Sequence, residues 1–306
     1  MSTADWLQQI VNAATIGGMY TLVAVGFTLF FGVMGLINFA HGEVFMIGAF
    51  AALVLGRLLT NGVVANGWSL IASMLIVAIL FCGILGVLIE RFAYEPVRRA
   101  PMLVMLITSL GVSFILREGV KEFFPEGANP LGFPSPYKFE SLYIGSIAVG
   151  YTQIALIIAS ALLVVGTYLL VERTWVGRAM RATADDPDAA RMMGVRIGSV
   201  IRNAFFVGSA LGGMAGVMNG LYYLSIRFDM GWTMAIKGFT AAVLGGLGNV
   251  YGAAVGGYLL AMLEVLIVAL VPQGSQYKDV FVFLILILVL VFRPSGILPR
   301  AAQKMG

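Results

Sequence analysis

The sequence has 306 residues, 60% hydrophobic and 11% charged, with a mean hydropathy of +0.95 and a formal net charge of +4. Soluble domains carry about 25% charged residues, so this chain has too few to cover a water-facing surface and its outer surface faces lipid. The small, dispersed positive charge argues against nucleic acid as a partner, and one Cys with one His excludes an intrachain disulfide, a cysteine-built metal site and the common catalytic constellations.

Residues 1–9 carry Asp5 and no Lys or Arg. A secretory leader needs a basic start and a short apolar core, so the long apolar stretch that follows reads as a first spanning helix. A span takes about 20 mostly apolar residues. The runs 10–33, 36–59, 68–89, 103–123, 151–171, 201–224 and 281–292 qualify, although the last is short. The stretch 236–271 is long enough for two helices but is broken near residues 245–252, which reads as a short segment, a tight turn and a full helix. The expectation is an all-α polytopic membrane protein forming one transmembrane domain over residues 1–306. It has about eight spans and Gly-broken segments near residues 35–43 and 245–252. Cys82, inside an apolar run, reads as a small buried packing residue.

The first break holds Asn38, Phe39, Ala40, His41, Gly42 and Glu43, with almost no polar spacer on either side. Ionisable groups at membrane depth are costly and normally face a cavity or a partner. One reading makes this turn a wall or gate of a translocation path. The other makes Asn38 a helix cap and Glu43 a complement to the helix dipole; the two are compatible. His41, the lone histidine, has no second ligand beside it and makes a poor metal site.

Three clusters hold most of the 19 basic residues: Arg91, Arg98 and Arg99; Arg173, Arg178, Arg181, Arg191, Arg196 and Arg202; Arg293, Arg300 and Lys304. Basic loops stay on the cytoplasmic side, which places the C-terminus inside and, by counting spans, the N-terminus outside. Arg57, Arg117, Lys121, Lys138, Arg227, Lys237 and Lys278 scatter over the alternate connections. The connection at about 125–150, rich in Pro and aromatics, then lies outside.

The cytoplasmic connection at about 172–202 reads as a helix ending before Pro187. A brief helix follows, with Asp186 at its N-cap, Pro187 at its first position and Gly194 past its end. Ala189, Ala190, Met192 and Met193 give that helix a face suited to a groove on a cytoplasmic partner; a solvated basic loop is the alternative. Gly177, Arg178, Arg181, Asp185, Asp186, Ala190, Arg191 and Gly194 are the candidate docking residues.

The second break, residues 245–257, is Gly-rich. It serves either close helix packing or a path whose freed backbone meets substrate. Thr240, Gly245, Gly246 and Gly248 are its candidate path residues. Glu264, within the next apolar helix, faces a cavity or pairs with a basic group. The strings Gly26-Phe27-Thr28 and Gly238-Phe239-Thr240 each precede a break, a weak sign of duplication. No phosphate-binding G-x4-G-K-[S/T] loop, Arg-rich span or potassium-filter motif is present.

Residues 35–43, 177–182 (Gly-Arg-Ala-Met-Arg-Ala), 239–248 and the tail from Tyr277 through Leu298 together resemble the permeases of branched-chain amino acid ABC transporters, the LivH type. The similarity runs from about Asn12 to Leu298; the Pro-rich connection has no match. This resemblance implies a bacterial inner-membrane importer. A second, related permease completes the path, and two ATP-binding subunits that carry ATP and Mg dock on the Arg173–Arg196 connection. An extracytoplasmic receptor delivers leucine, isoleucine or valine. This chain itself then holds no cofactor and no catalytic residue. Related permeases carry urea or short amides. An ion-coupled secondary transporter is the rival from another class, resting on Glu43 and Glu264.

Overall fold

Lipid offers the backbone no hydrogen-bond partner, so apolar runs of this length satisfy themselves as helices. The computed structural model describes residues 3–62, 67–137, 140–145 and 147–298. Lys138, Arg300 and Lys304 of the expected basic positions lie outside them. Eight helices among the described residues are long and apolar enough to cross a membrane. These are α1 (Thr3–Met34), α2 (Ala40–Gly62), α3 (Gly67–Ile89), α4 (Met102–Phe123), α5 (Tyr151–Arg173), α8 (Ile197–Tyr223), α10 (Val250–Leu270) and α11 (Gly274–Phe292). Two short helices, α6 (Trp175–Asp185) and α7 (Pro187–Met192), connect α5 to α8, and the 16-residue α9 (Met230–Gly245) precedes α10.

Helices α1 and α8 form the centre, while α4, α5 and α11 stand at the edge with mostly exposed apolar faces. Small residues let α8 approach its neighbours closely. A methyl group on Gly216 would lie 1.9 Å from the Phe45 carbonyl oxygen of α2, and one on Gly213 would lie 2.6 Å from the Cys82 sulfur of α3. Cys82 is thus the buried packing residue expected, its thiol 3.5 Å from the Val44 carbonyl.

Helix α3 ends in one π turn, Glu90–Tyr94, in which Glu95 N–H donates to the Glu90 carbonyl. The extra residue per turn swings Tyr94 into the core. Among the described residues, four short strands lie in the connections. Strands β2 (Ser141–Ile144) and β3 (Ile147–Gly150) form a hairpin. Strand β1 (Leu131–Gly132) pairs antiparallel with β4 (Ser225–Ile226), just after α8. The Pro-rich connection is therefore partly folded inward. Phe133 is buried, its N–H donating to the Leu224 carbonyl, and Tyr137 packs on Trp68.

The basic clusters gather at one end of the bundle. Arg98 approaches Gly198, Thr183 and Ala184 share a cleft with Leu247 and Gly248, and Leu298 is bonded to the α9–α10 turn. The N-terminal part of α1 lies at the other end, where Gln8 accepts from Ala148 N–H of β3.

Candidate functional site

The first break runs from Gly35 to Phe39 and α2 begins at Ala40, four residues later than hydropathy suggests. Asn38 is the reason. Its Oδ1 accepts from Ala40 N–H at 3.1 Å and from the Tyr94 hydroxyl at 2.8 Å. One amide thereby caps α2 and ties it to the π turn of α3. Next to it, Glu90 of that turn is buried and ion-paired to Arg98.

His41 is fully buried with Nε2 3.2 Å from the Val23 carbonyl of α1. The rings of Phe27 and Phe30 lie edge-on to it at 5.0 Å. It is a wedge between α1 and α8, not an exposed group. Glu43 is also fully buried. Its Oε1 accepts from the Ser113 hydroxyl of α4 at 3.2 Å, and Oε2 points at Gly231 in the first turn of α9 without a hydrogen-bond partner among the described residues. Glu43 therefore faces the positive end of α9 as well as that of its own helix.

The second break is a four-residue turn between α9 and α10. Gly246 has φ +117°, open only to glycine. Asn249 caps α10, accepting from Gly252 N–H at 3.1 Å. The carbonyls freed at the end of α9 are taken by the C-terminal tail. Ile297 N–H donates to Leu244 O at 2.9 Å, Leu298 N–H to Gly245 O at 3.0 Å, and Asn249 Nδ2 to Leu298 O at 3.0 Å. Gly245 and Gly246 pack closely, a Cβ on them meeting the Gly252 and Leu298 carbonyls, whereas Gly248 is half-buried and lines the cleft shared with Thr183 and Ala184. Thr240 is buried, its hydroxyl donating to Ile236 O within α9.

Glu264 finds its basic group in Lys237, which lies buried in the middle of α9, not in a connection as the charge pattern suggests. Lys237 Nζ donates to Glu264 Oε1 at 2.9 Å and to the Tyr20 hydroxyl at 3.1 Å, while that hydroxyl donates to Glu264 Oε2 at 2.6 Å. Asp279 Oδ1 lies 2.9 Å from Lys237 and Lys278 Nζ 3.6 Å from Glu264. Two ammonium and two carboxylate groups thus close a neutral network that ties α1, α9, α10 and α11 together. Lys278 and Asp279 interrupt the apolar run, which is why α11 begins seven residues ahead of the expected span.

The exposed side chains of α9 are Trp232 and Thr233. Trp232 is 40% exposed, and its ring and that of Phe239 each lie 6.2 Å from Phe39 at the start of α2. Phe27 and Phe239, the equivalent residues of the two Gly-Phe-Thr strings, meet at 6.1 Å.

At the basic end, Thr174 caps α6 and Asp186 caps α7, its Oδ1 accepting from Asp188 and Ala189 N–H at 2.9 and 3.0 Å. Gly194, at φ +85°, lies just past the end of α7. Three candidate docking residues face inward. Gly177 packs on the end of α5, Ala190 is buried, and Arg181 is held by the Val171 carbonyl at 2.5 Å and by Glu172 at 2.7 Å. Arg178, Asp185, Asp186 and Arg191 are exposed. Met192 and Met193, 82% and 85% exposed, are the apolar residues presented at the C-terminal end of α7, where Ala190 is buried.

The family model described as branched-chain amino acid transport system / permease component matches residues 9–290. The high-affinity branched-chain amino acid transport system permease protein BraD of Pseudomonas aeruginosa is 38% identical over 297 residues, 96% of each chain. The corresponding protein LivH of Escherichia coli K12 is 37% identical over 306 residues, again 96% of each. Among solved structures, a chain of the PsaBC complex of Streptococcus pneumoniae with Fab covers 93% of this chain at TM-score 0.50 and 12% identity, a likeness of fold alone.

Proposed function

This chain belongs to the family of branched-chain amino acid transport permease components, and on that premise we propose that it is the membrane subunit of an ATP-driven importer of leucine, isoleucine and valine. The observation that carries the proposal is the α6–α7 unit. It is capped at both helix starts, braced on α5 by Arg181, and it presents Met192 and Met193 outward at the end where the basic clusters gather. A rigid element with an apolar tip fits a groove on an ATP-binding subunit, and the chain carries no phosphate-binding loop of its own. ATP and Mg belong to two such subunits. In this reading the protein sits in the bacterial inner membrane, its basic end and C-terminus are cytoplasmic, and its N-terminus lies outside.

The path runs beside α9 and the start of α2, closed on its far side by a second, related permease. Its wall is Phe39, Trp232, Thr233 and Phe239, a weakly polar surface suited to an aliphatic amino acid. Asn38, His41, Glu43 and Thr240 stand behind that wall and hold its shape. An extracytoplasmic receptor supplies the substrate and most of the selectivity. The neutral Lys237–Glu264 network weighs against ion coupling, because a carboxylate already paired offers a cation little.

Co-purification from membranes tests the assembly. A second permease and two ATP-binding subunits should accompany the chain, and Met192→Asp/Met193→Asp should release the ATP-binding subunits while the permease pair stays together. Retention of those subunits by the double variant sinks the docking assignment. Competition of labelled leucine uptake by urea or short amides, equal to competition by isoleucine, sinks the substrate assignment.

A further inference from the structure

The end of the bundle away from α6–α7 holds a polar cavity of about 250 Å³ between α8, α9 and α1. That is room for about eight water molecules, the scale of one amino acid and too small for a peptide. The floor is the Tyr20–Lys237 part of the buried charge network, with Lys278 beside it. The rim is Arg227 and Asp229 on the link before α9, paired at 2.7 Å with side chains 58% and 43% exposed. Phe45, Met230 and Met234 supply the apolar wall. The Asn219 amide and Thr233 hydroxyl also line the cavity and make no hydrogen bond among the described residues.

We infer that this cavity is a subsite of the permease itself for a zwitterionic α-amino acid with an aliphatic side chain. The inference rests on the importer reading above and names a stop on that path. Both ends of a zwitterion find a counterpart at the rim. The Arg227 guanidinium suits a carboxylate through two parallel hydrogen bonds. The Asp229 carboxylate suits an ammonium. Exposed ion pairs are weakly held, so an arriving zwitterion exchanges partners with the pair and leaves no charge unmatched. Methionine is unbranched and adaptable, so Met230 and Met234 accommodate leucine, isoleucine and valine alike. Lys237 and Glu264 below are neutralised by each other, so the floor neither captures nor repels the ligand.

The test is equilibrium binding of radiolabelled leucine to the intact permease–ATPase complex in lipid nanodiscs, without receptor. Competition uses leucinol, which lacks the carboxylate, and 4-methylpentanoate, which lacks the ammonium. The wild-type complex should bind leucine and prefer it to either analogue by at least tenfold. Arg227→Gln should weaken leucine at least tenfold and leave leucinol unchanged. Asp229→Asn should weaken leucine likewise and leave 4-methylpentanoate unchanged. Unchanged leucine binding in both variants, or equal loss of all three ligands, overturns the subsite and leaves the rim pair as a brace of the α8–α9 link. ATP-driven leucine uptake by the complex with receptor, without any leucine binding to the complex alone, also overturns the subsite but leaves the importer reading standing. Absence of both binding and uptake overturns the two together.

Discussion

Replacing Lys237 by Met removes the cation at the centre of the buried network while keeping most of the side-chain volume. Breaking a buried ion pair from one side costs about 3–5 kcal/mol, because the remaining charge stays desolvated. Two features reduce that here. Lys278, 35% exposed, stands 3.6 Å from Glu264 and can move closer, and Tyr20 keeps its 2.6 Å hydrogen bond to the carboxylate. Asp279, 49% exposed, turns to water. A loss of about 2–4 kcal/mol remains, which lowers the unfolding midpoint of the purified chain by roughly 5–10 °C. Lys237→Met/Glu264→Gln removes both charges and keeps an acceptor for Tyr20, so it should recover at least half of the loss. Thermal unfolding of the two single variants and the double variant closes a double-mutant cycle. A single variant as stable as wild type, or a double variant whose loss equals the sum of the single losses, refutes the network as a clasp.

Tyr94→Phe removes one of two bonds to Asn38 and should cost about 1 kcal/mol, whereas Asn38→Leu also uncaps α2 and should cost about 2–3 kcal/mol; the ratio of midpoint shifts checks this. Gly216→Val should prevent accumulation of folded protein, because its Cβ would collide with the Phe45 carbonyl, while Gly166→Ala, with open space around it, should accumulate normally; detergent-extracted yield and monodispersity report both. Leu298→Pro removes the N–H that satisfies the end of α9 and should loosen the α9–α10 turn, read as faster hydrogen exchange at residues 244–249.

The spanning helices were legible because lipid demands long apolar runs, and α7 was legible because its signals are local: an Asp N-cap, Pro at the first position and Gly after the end. What hydropathy misplaced were charges inside spans. Lys237, Lys278 and Asp279 break an apolar run in sequence, yet in the bundle they neutralise one another and Glu264. The usable signal was their opposite sign within apolar stretches, since a buried ion requires a partner. The inward turn of Ala190 and the outward turn of Met192 depend on how α7 sits on α6 and α8, which no local pattern encodes. Asn38 was readable as a cap, but its second partner, Tyr94, lies 56 residues away on a π turn. Nor did the Pro-rich connection announce β1, because its partner β4 is nearly a hundred residues on.

The most direct test of the importer reading is the driving force of transport. Proteoliposomes holding this chain with its companion permease, two ATP-binding subunits and receptor should accumulate labelled leucine only when ATP and Mg are supplied on the ATPase side. Accumulation by this chain alone, under an ion gradient and without ATP, would contradict it.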